Sequence, residues 1–249
     1  HRRLGFAFDP EKGTDWEKLG SAVRNAEPDL IGITATSFEY AVANSIARFL
    51  KQQSAPIVLG GAHATFCPGD FWSSAFDAFC VGEGELALAQ LCHRLKDRIP
   101  RADLFRDLPS FLSRETYGNG MPDPIPLFDQ VENLDSLPLM DRDIFDMERI
   151  IEARGGWIDV FTARGCPFPC TYCCNHVFEK LYGRSKKKSR GYRQRSVGNV
   201  LDEIAYLLSK YPGKVRVISF QEDFLNLNRK WMLDFCRGYR LAVGLPFYM

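Results

Sequence analysis

Leu30-Ile-Gly-Ile-Thr-Ala-Thr36 is a short β-rich run, and what flanks it decides the fold. A helical pattern over Tyr40–Gln53 follows it, then a second such run, Pro56-Ile-Val-Leu59, and later a third, Ala78-Phe-Cys-Val81. Upstream, Leu4–Asp9 (LGFAFD) reads as a strand and Asp15–Glu27 as a helix. Downstream, a short helix is expected near Phe71–Ala75 and a longer one over Leu86–Lys96. In the longer one Leu88, Leu91, Cys92 and Leu95 recur at helical spacing, which predicts one apolar face. Strands alternating with helices through short loops predict an α/β domain, a doubly wound parallel sheet covered on both sides.

From Ile99 to Met140 the texture changes. Six of the 14 prolines fall there (Pro100, Pro109, Pro122, Pro124, Pro126, Pro138). Proline removes a backbone donor and fixes φ, so long helices and central strands are not expected. A hairpin near Tyr117–Gly120 is the most regular feature predicted. Alternation then resumes with a strand over Trp157–Thr162, a helix over Val197–Tyr211, a strand over Val215–Phe220, a helix over Arg229–Leu241 and a strand opening at Leu245. Three segments result: a first domain over residues 1–98, a proline-rich linker over 99–150 and a second domain over 151–249. The second amounts to about two and a half βα units, and a strand opening at Pro246–Met249 has nothing after it. The expectation is therefore a second domain cut short at its C-terminus.

Composition excludes several classes. The 249 residues are 45% hydrophobic and 25% charged, the proportions of a soluble globular protein. A formal net charge of +1 supplies no global attraction to nucleic acid or an anionic membrane. No apolar run approaches the ~18 residues of a membrane span, and residues 1–30 lack a secretory apolar stretch. Eight cysteines are too sparse for a disulfide scaffold. Three of them crowd into residues 166–173, which points to metal chemistry in a reducing compartment, hence a cytoplasmic location.

That crowding lies in Arg164-Gly-Cys-Pro-Phe-Pro-Cys-Thr-Tyr-Cys-Cys-Asn175, where Cys166, Cys170 and Cys173 form C-x3-C-x2-C after a predicted strand. Thiolates ligate iron–sulfur clusters, and close spacing lets one loop wrap one cluster. Three ligands on a four-iron cube leave one iron open to a substrate or cofactor, the logic that separates catalytic from structural zinc. Zinc itself would need a fourth ligand, with Cys174 or His176 as candidates, and no second C-x2-C pair exists. A ferredoxin-like carrier is also one cysteine short. Buried inert thiols are the bland reading, against which Pro167 and Pro169 hold the stretch in a loop. Cys174 reads as a packed neighbour.

The motif C-x3-C-x-aromatic-C, here Cys166, Cys170, Tyr172 and Cys173, resembles the signature of the radical S-adenosylmethionine (SAM) superfamily. Thr162-Ala-Arg-Gly-Cys166, Ser219-Phe-Gln-Glu-Asp-Phe224 and Leu134-Asp-Ser-Leu-Pro-Leu-Met-Asp-Arg-Asp143 are similar to its branch with an N-terminal cobalamin-binding domain. The resemblance implies a Rossmann-like cobalamin-binding domain lacking its first strand, then a partial radical SAM (β/α) barrel. It implies a [4Fe-4S] cluster on the three cysteines whose open iron chelates the methionine moiety of SAM. Reductive cleavage then gives a 5′-deoxyadenosyl radical, while the protein supplies orientation and excludes water. It places Tyr172 near the adenine, and it sets Gln221-Glu222-Asp223 where relatives hold the SAM amino group. Which of Glu222 and Asp223 does so stays open, as does a helix-capping role.

Three loops follow predicted strands in the first domain: Thr34-Ala-Thr-Ser37, Gly60-Gly-Ala-His-Ala-Thr65 and Gly82-Glu-Gly-Glu85. Ligands of open α/β sheets bind outside the strand carboxyl ends, where these loops lie. Gly60 and Gly61 permit close backbone approach, and Thr34, Thr36 and Ser37 offer hydroxyls. The resemblance implies that these loops, with Gly82, Glu83 and Gly84, surround the lower face and tail of cobalamin. No Asp-x-His-x-x-Gly loop occurs, and His63, the nearby imidazole, reads as a packing or hydrogen-bonding group.

The remaining cysteines, Cys67, Cys80, Cys92 and Cys236, read as small hydrophobes. The sharper alternative is a second cluster on Cys67, Cys80 and Cys92, as in methylthiotransferases. Lys180–Arg195 holds eight Lys/Arg and no acid, with Tyr182 and Tyr192 interleaved. RNA or phosphate binding is one reading, a solvated loop the plainer one, and Arg193 or Arg195 reaching back to SAM or an anionic substrate a third. The resemblance implies a cobalamin-dependent radical SAM methyltransferase acting on an unactivated carbon of a small molecule or peptide. One SAM would methylate cobalamin and another would generate the radical, with electrons from a flavodoxin- or ferredoxin-type donor. The alternatives are a radical SAM cyclase, rearrangement catalyst or methylthiotransferase, and, outside enzymes, a non-catalytic corrinoid- or metal-binding module.

Overall fold

The computed structural model describes residues 15–183, 191–223 and 227–249. In chain order they form α1 (Trp16–Ala26), β1 (Ile31–Thr34), α2 (Tyr40–Leu50), β2 (Ile57–Gly60), α3 (Ala62–Phe66), β3 (Ala78–Cys80), α4 (Glu85–Lys96), β4 (Phe111–Ser113) and α5 (Arg114–Tyr117). There follow α6 (Met147–Ala153), β5 (Trp157–Val160), β6 (Ala163–Arg164), α7 (Asn175–Leu181), β7 (Arg193–Gln194), α8 (Val197–Lys210), β8 (Val217–Phe220), α9 (Arg229–Ala242) and β9 (Phe247–Tyr248). Two compact units result. Among the described residues, the first holds 15–130 and 176–183, the second 131–175 and 191–249 without 224–226.

In the first unit the strands lie in the order β1-β2-β3-β4, parallel except for β4, which pairs antiparallel with β3. Side-chain alternation divides β2 between two cores. Ile57 and Leu59 face α1 and α2 through Leu19, Val23, Ala47 and Leu50. Val58 faces the opposite way, with Ala78 and Cys80, toward Ala87 and Leu91 of α4. Phe79 is buried among Phe71, Phe76 and Tyr40, edge-on to each. Asp15 caps α1 by accepting a 3.0 Å hydrogen bond from Lys18 N.

Several local expectations are corrected. The apolar face of α4 is narrower than its spacing suggests: Ala87 and Leu91 are buried, Leu88 is 46% exposed and Cys92 is exposed. Ala87 allows close docking on Val58 and Ala78, and this contact, rather than leucine count, rotates the helix. The helix expected near Phe71–Ala75 is a 3₁₀ turn, Pro68–Ser73, preceded by α3. No hairpin forms at Tyr117–Gly120. Gly118 at φ 58 ends α5 there, with its N–H on Arg114 O. The proline-rich stretch does contribute a strand, β4, and its position at the sheet edge is where neighbouring prolines cost least. The expected strand Leu4–Asp9 lies outside the described residues.

The second unit carries a parallel sheet in the order β5-β8-β9, with α8 and α9 in the connections. Val200, Ile204 and Leu207 line the buried face of α8, and Trp231, Phe235 and Tyr239 that of α9. These residues close on Ile158, Val160, Ile218 and Phe220 of the strands. Ser196 and Asn228 cap the two helices. A small antiparallel ribbon, β6 with β7, leaves the end of β5 and frames the cysteine loop.

Candidate functional site

In the second unit, β5 delivers the chain through buried Thr162 into the β6–β7 ribbon. Gly165, at φ 80, makes the ribbon possible, because a Cβ there would lie 2.8 Å from Gly191 O. Pro167 and Pro169 keep the next residues out of regular structure, and Cys173 N donates to Cys170 O across 3.1 Å. Cys166 and Cys173 are half-buried, while Cys170 and Cys174 are exposed. Burial pushes the Cys166 thiol up, opposed by a hydrogen bond from the Phe168 backbone and reinforced by the charges of Asp223, Cys173 and Cys170. Burial also raises Cys174, with Cys173 adding to it.

A single tetrahedral zinc, with Zn–S of about 2.3 Å, needs sulfurs roughly 3.8 Å apart. Among the described residues the trio of ligand atoms lying within 4.8 Å of one another is elsewhere, at His63, Cys67 and Asp70. The thiols of Cys166, Cys170 and Cys173 do not form such a trio. Tyr172 stands 92% exposed on this loop.

Beside it, the three residues after β8 take different roles. Gln221 N donates to Val160 O, and its Nε2 donates to Ser219 Oγ (2.6 Å) and Asp159 Oδ1 (3.2 Å). Asp223 accepts from Asn175 Nδ2 at 2.8 Å. Glu222 accepts from Thr162 N through Oε1, while its Oε2 is buried without a hydrogen-bond partner. Burial raises the Glu222 carboxyl above its ordinary range, opposed by Thr162 and by the charge of Arg195. Tyr192 presents a buried, unpartnered hydroxyl, and its phenol is pushed up to about 12 by burial and by the charges of Glu222 and Cys166.

Arg193 and Arg195 of the basic segment are turned inward. Arg193 Nη1 donates to Val131 O at 2.8 Å. Arg195 donates to Glu203 Oε2 (2.5 Å), Phe161 O (2.7 Å), Asn199 Oδ1 (2.6 Å) and Asn199 O (3.2 Å). Its backbone N donates to Thr162 O. Arg195 thus braces the strand end that carries the site rather than extending outward. Residues 184–190 of the segment lie outside the described residues.

In the first unit the three loops do come together beyond the strand ends. Ala35 N donates to Gly60 O, and His63 N to Ala35 O. Thr36 donates through N and Oγ1 to Glu39 Oε2, which holds that carboxyl below its usual range. Ser37 Oγ and His63 Nδ1 share a 3.2 Å hydrogen bond. Gly82 N donates to Thr65 Oγ1 and Glu83 N to Tyr182 Oη at 2.7 Å. Gly60 and Gly84 face open space. Thr65, Glu39 and Tyr182 belong to this constellation and were not singled out from the sequence for it. A hydroxyl one helical turn beyond Gly61 was the available signal for Thr65. Tyr182 had none, being 99 residues from Glu83. Cys80 is buried in β3 and Cys92 exposed on α4, so neither joins Cys67 in a second cluster.

Gly61 is the strained point. It sits at φ 87, ψ −165, a region open almost only to glycine, and a Cβ would lie 2.4 Å from Thr34 Oγ1. Gly61→Ala is expected to cost about 1–3 kcal/mol or more of stability. Gly60→Ala, which meets nothing within 4 Å, should cost clearly less. Urea unfolding of both variants reads the contrast, and equal costs would refute this account of the loop.

Residues 4–92 match the family model described as the B12 binding domain. Over this stretch the chain is similar to a B12-binding domain. Relatives resemble the chain along nearly its whole length. An uncharacterised methyltransferase of Pyrococcus horikoshii is 28% identical over 220 residues, 87% of this chain and 44% of that protein. Anaerobic magnesium-protoporphyrin IX monomethyl ester cyclase of Cereibacter sphaeroides is 28% identical over 242 residues, 92% and 36%. Cytidylyl-2-hydroxyethylphosphonate methyltransferase of Streptomyces wedmorensis is 24% identical over 266 residues, 94% and 47%. The chain thus spans less than half the length of these curated relatives. Among solved structures, the radical S-adenosylmethionine methyltransferase TsrM of Kitasatospora setae, with cobalamin and a [4Fe-4S] cluster bound, superposes with a TM-score of 0.66. It shares 19% identity and covers 92% of this chain and 45% of its own, which establishes the fold. The mixed α/β class with parallel sheets, and the resemblance to radical SAM proteins with a B12-binding domain, are borne out. No helix among the described residues is long and apolar enough to cross a membrane.

Proposed function

We propose that this chain is the cofactor-binding part of a cobalamin-dependent radical SAM methyltransferase. Cys166, Cys170 and Cys173 would hold a [4Fe-4S] cluster, and Thr34, Gly60, Gly61, Gly82 and Gly84 would line the cobalamin site. When bound, the cluster supplies the electron that cleaves SAM, and cobalamin supplies a methyl carrier. The observation that carries the reading is the pairing of a three-thiol loop with Glu222, whose Oε2 is buried and unpartnered. A buried lone carboxylate oxygen calls for a donor, and the ammonium of SAM is one. Asp223 is already engaged by Asn175, which leaves Glu222 as the residue for that group. Gln221 positions the strand ends through Asp159 and Ser219, and Arg195 does so through Thr162 and Phe161. Tyr172 would contact the adenine from the loop. The substrate would be a small molecule or peptide and the reductant a flavodoxin- or ferredoxin-type protein. A cytoplasmic setting, which keeps thiols reduced, goes with this reading. The domain boundaries near residues 98 and 150 belong to the same proposal.

The cyclase of Cereibacter sphaeroides, matched over 92% of this chain, favours a second reading in which the same cofactors serve ring closure. Anaerobic reconstitution with SAM, hydroxocobalamin and a reductant tests the proposal. Expected are about four irons per chain, a shifted cobalamin spectrum and reductive SAM cleavage. Tight zinc without iron would overturn it.

Glu222→Gln separates binding from folding. Burial lifts the folded-state pKa of Glu222 above its unfolded value, so the linked stability is lost as pH rises through that folded value. At pH 7 the ionised side chain then costs the ligand-free fold something that glutamine does not. The variant is expected to melt at or slightly above the wild-type midpoint without SAM, and to retain SAM about tenfold less tightly. Undiminished SAM retention would remove Glu222 from the site.

A further inference from the structure

Within the first unit, two short turns bring three different metal-ligating side chains to one point. His63 lies in α3, and Cys67 follows at i+4, its N–H on His63 O at 2.8 Å. Pro68 then opens a 3₁₀ turn in which Asp70 N donates to Cys67 O at 3.1 Å. Spacings of four and three residues on successive helical turns put the side chains on one face. Their ligand atoms all lie within 4.8 Å of one another, and His63 Nε2 is 3.2 Å from Asp70 Oδ2.

His63 is held as a ligand would be. It is 4% exposed, its ring stacks on Tyr40 at 3.7 Å, and its Nδ1 meets Ser37 Oγ. With Nδ1 so occupied, Nε2 is the nitrogen left facing Cys67 and Asp70. It is buried, and its approach to Asp70 is close without forming a hydrogen bond. A fully buried imidazole nitrogen aimed at a thiol and a carboxylate, with nothing bonded to it, is an unfilled coordination position.

We propose that His63 Nε2, Cys67 Sγ and the Asp70 carboxylate form a binding site for one divalent ion of the zinc type. The N, S, O donor set suits a borderline-soft ion, and zinc bound at about 2.0 Å to nitrogen and oxygen sets those two atoms roughly 3.3 Å apart. The observed 3.2 Å already matches, so that only the Cys67 sulfur has to close in. Thiolate and carboxylate together neutralise the +2 charge, the thiol proton leaving to solvent. Asp70 is exposed and Cys67 half-buried, which gives an entry path and a fourth position for water. The ion would sit just beyond β2, after Gly60 and Gly61, and would tie the strand-end loop to the 3₁₀ turn. It also takes His63 away from any direct contact with cobalamin. This inference stands independently of the cluster and of methyl transfer.

The test uses the full chain carrying Cys166→Ala, Cys170→Ala and Cys173→Ala, so that those thiols do not compete, with Co²⁺ and Zn²⁺ as probes. Expected is one Co²⁺ per chain with a thiolate-to-cobalt charge-transfer band, displaced by Zn²⁺. Adding Cys67→Ala should abolish the band and weaken binding more than about 100-fold. Ser37→Ala should keep the band and weaken binding about 10–100-fold, the usual effect of losing an outer partner. Cys236→Ala should change nothing. Asp70→Asn, at an exposed position that folding tolerates, should weaken binding at least tenfold with the band retained. The same comparisons in cluster-loaded wild-type protein give a second readout. Absence of stoichiometric binding, a band that survives Cys67→Ala, or unchanged affinity in Asp70→Asn would each overturn the site.

Discussion

Single replacement of Cys166, Cys170 or Cys173 by alanine is expected to take anaerobically reconstituted protein from about four irons per chain to a small residue. Cys174→Ala and Cys236→Ala should keep their iron. The difference follows from position. The first three thiols have the C-x3-C-x2-C spacing on a loop fixed by Gly165 and by the Cys170–Cys173 turn, whereas Cys174 directly follows Cys173 outside that spacing and Cys236 lies on α9. Loss is expected to be all-or-none because a cube missing one of three thiolates keeps only two protein anchoring points. Burial raises the Cys166 thiol, so loading should also slow as pH falls, with more of that thiol protonated. Iron and sulfide quantification together with visible absorption check both statements. Retention of iron in any of the three variants would break the assignment.

The second large effect is on folding. Glu203→Ala is expected to destabilise the second unit by about 3–5 kcal/mol, read as a fall in the urea midpoint. Glu203 on α8 accepts from Arg142 Nη2 at 3.0 Å and from Arg195 Nη1 at 2.5 Å. All three side chains are largely buried, so removing the carboxylate leaves two guanidinium groups without their counter-charge. Arg142 Nη2 also donates to Asp159 O, and Arg195 to Phe161 O, on the chain that enters the cysteine loop. Iron retention should therefore fall in the same variant although Glu203 ligates nothing. A loss of stability under 1 kcal/mol would show that solvent reaches and screens these charges.

What could be read from the chain alone was what is local. The parallel strands β1, β2 and β3 follow from short β-rich runs, and the cysteine loop from spacing within eight residues. The buried face of α8 is likewise visible in its periodicity at Val200, Ile204 and Leu207. The face of α4 was not, because docking on a sheet favours the small Ala87 over the larger Leu88. Nor were the roles of Arg195 and Tyr182, each set by partners far along the chain: Phe161 lies 34 residues from Arg195. Glu222 and Asp223 are adjacent and chemically alike. Their burial and the positions of Thr162 and Asn175 distinguish them.

Residues 176–183 are part of the first unit although 45 residues separate them from Gln130, where its other residues end. Leu181 packs in that unit's core, and Tyr182 places its oxygen on Glu83 N where a Gly82 Cβ would have collided with it. The first unit is consequently not a bead that can be clipped from the string. Any excision meant to isolate it has to bring this late stretch along, by fusion or as a separate peptide, to restore a complete interior.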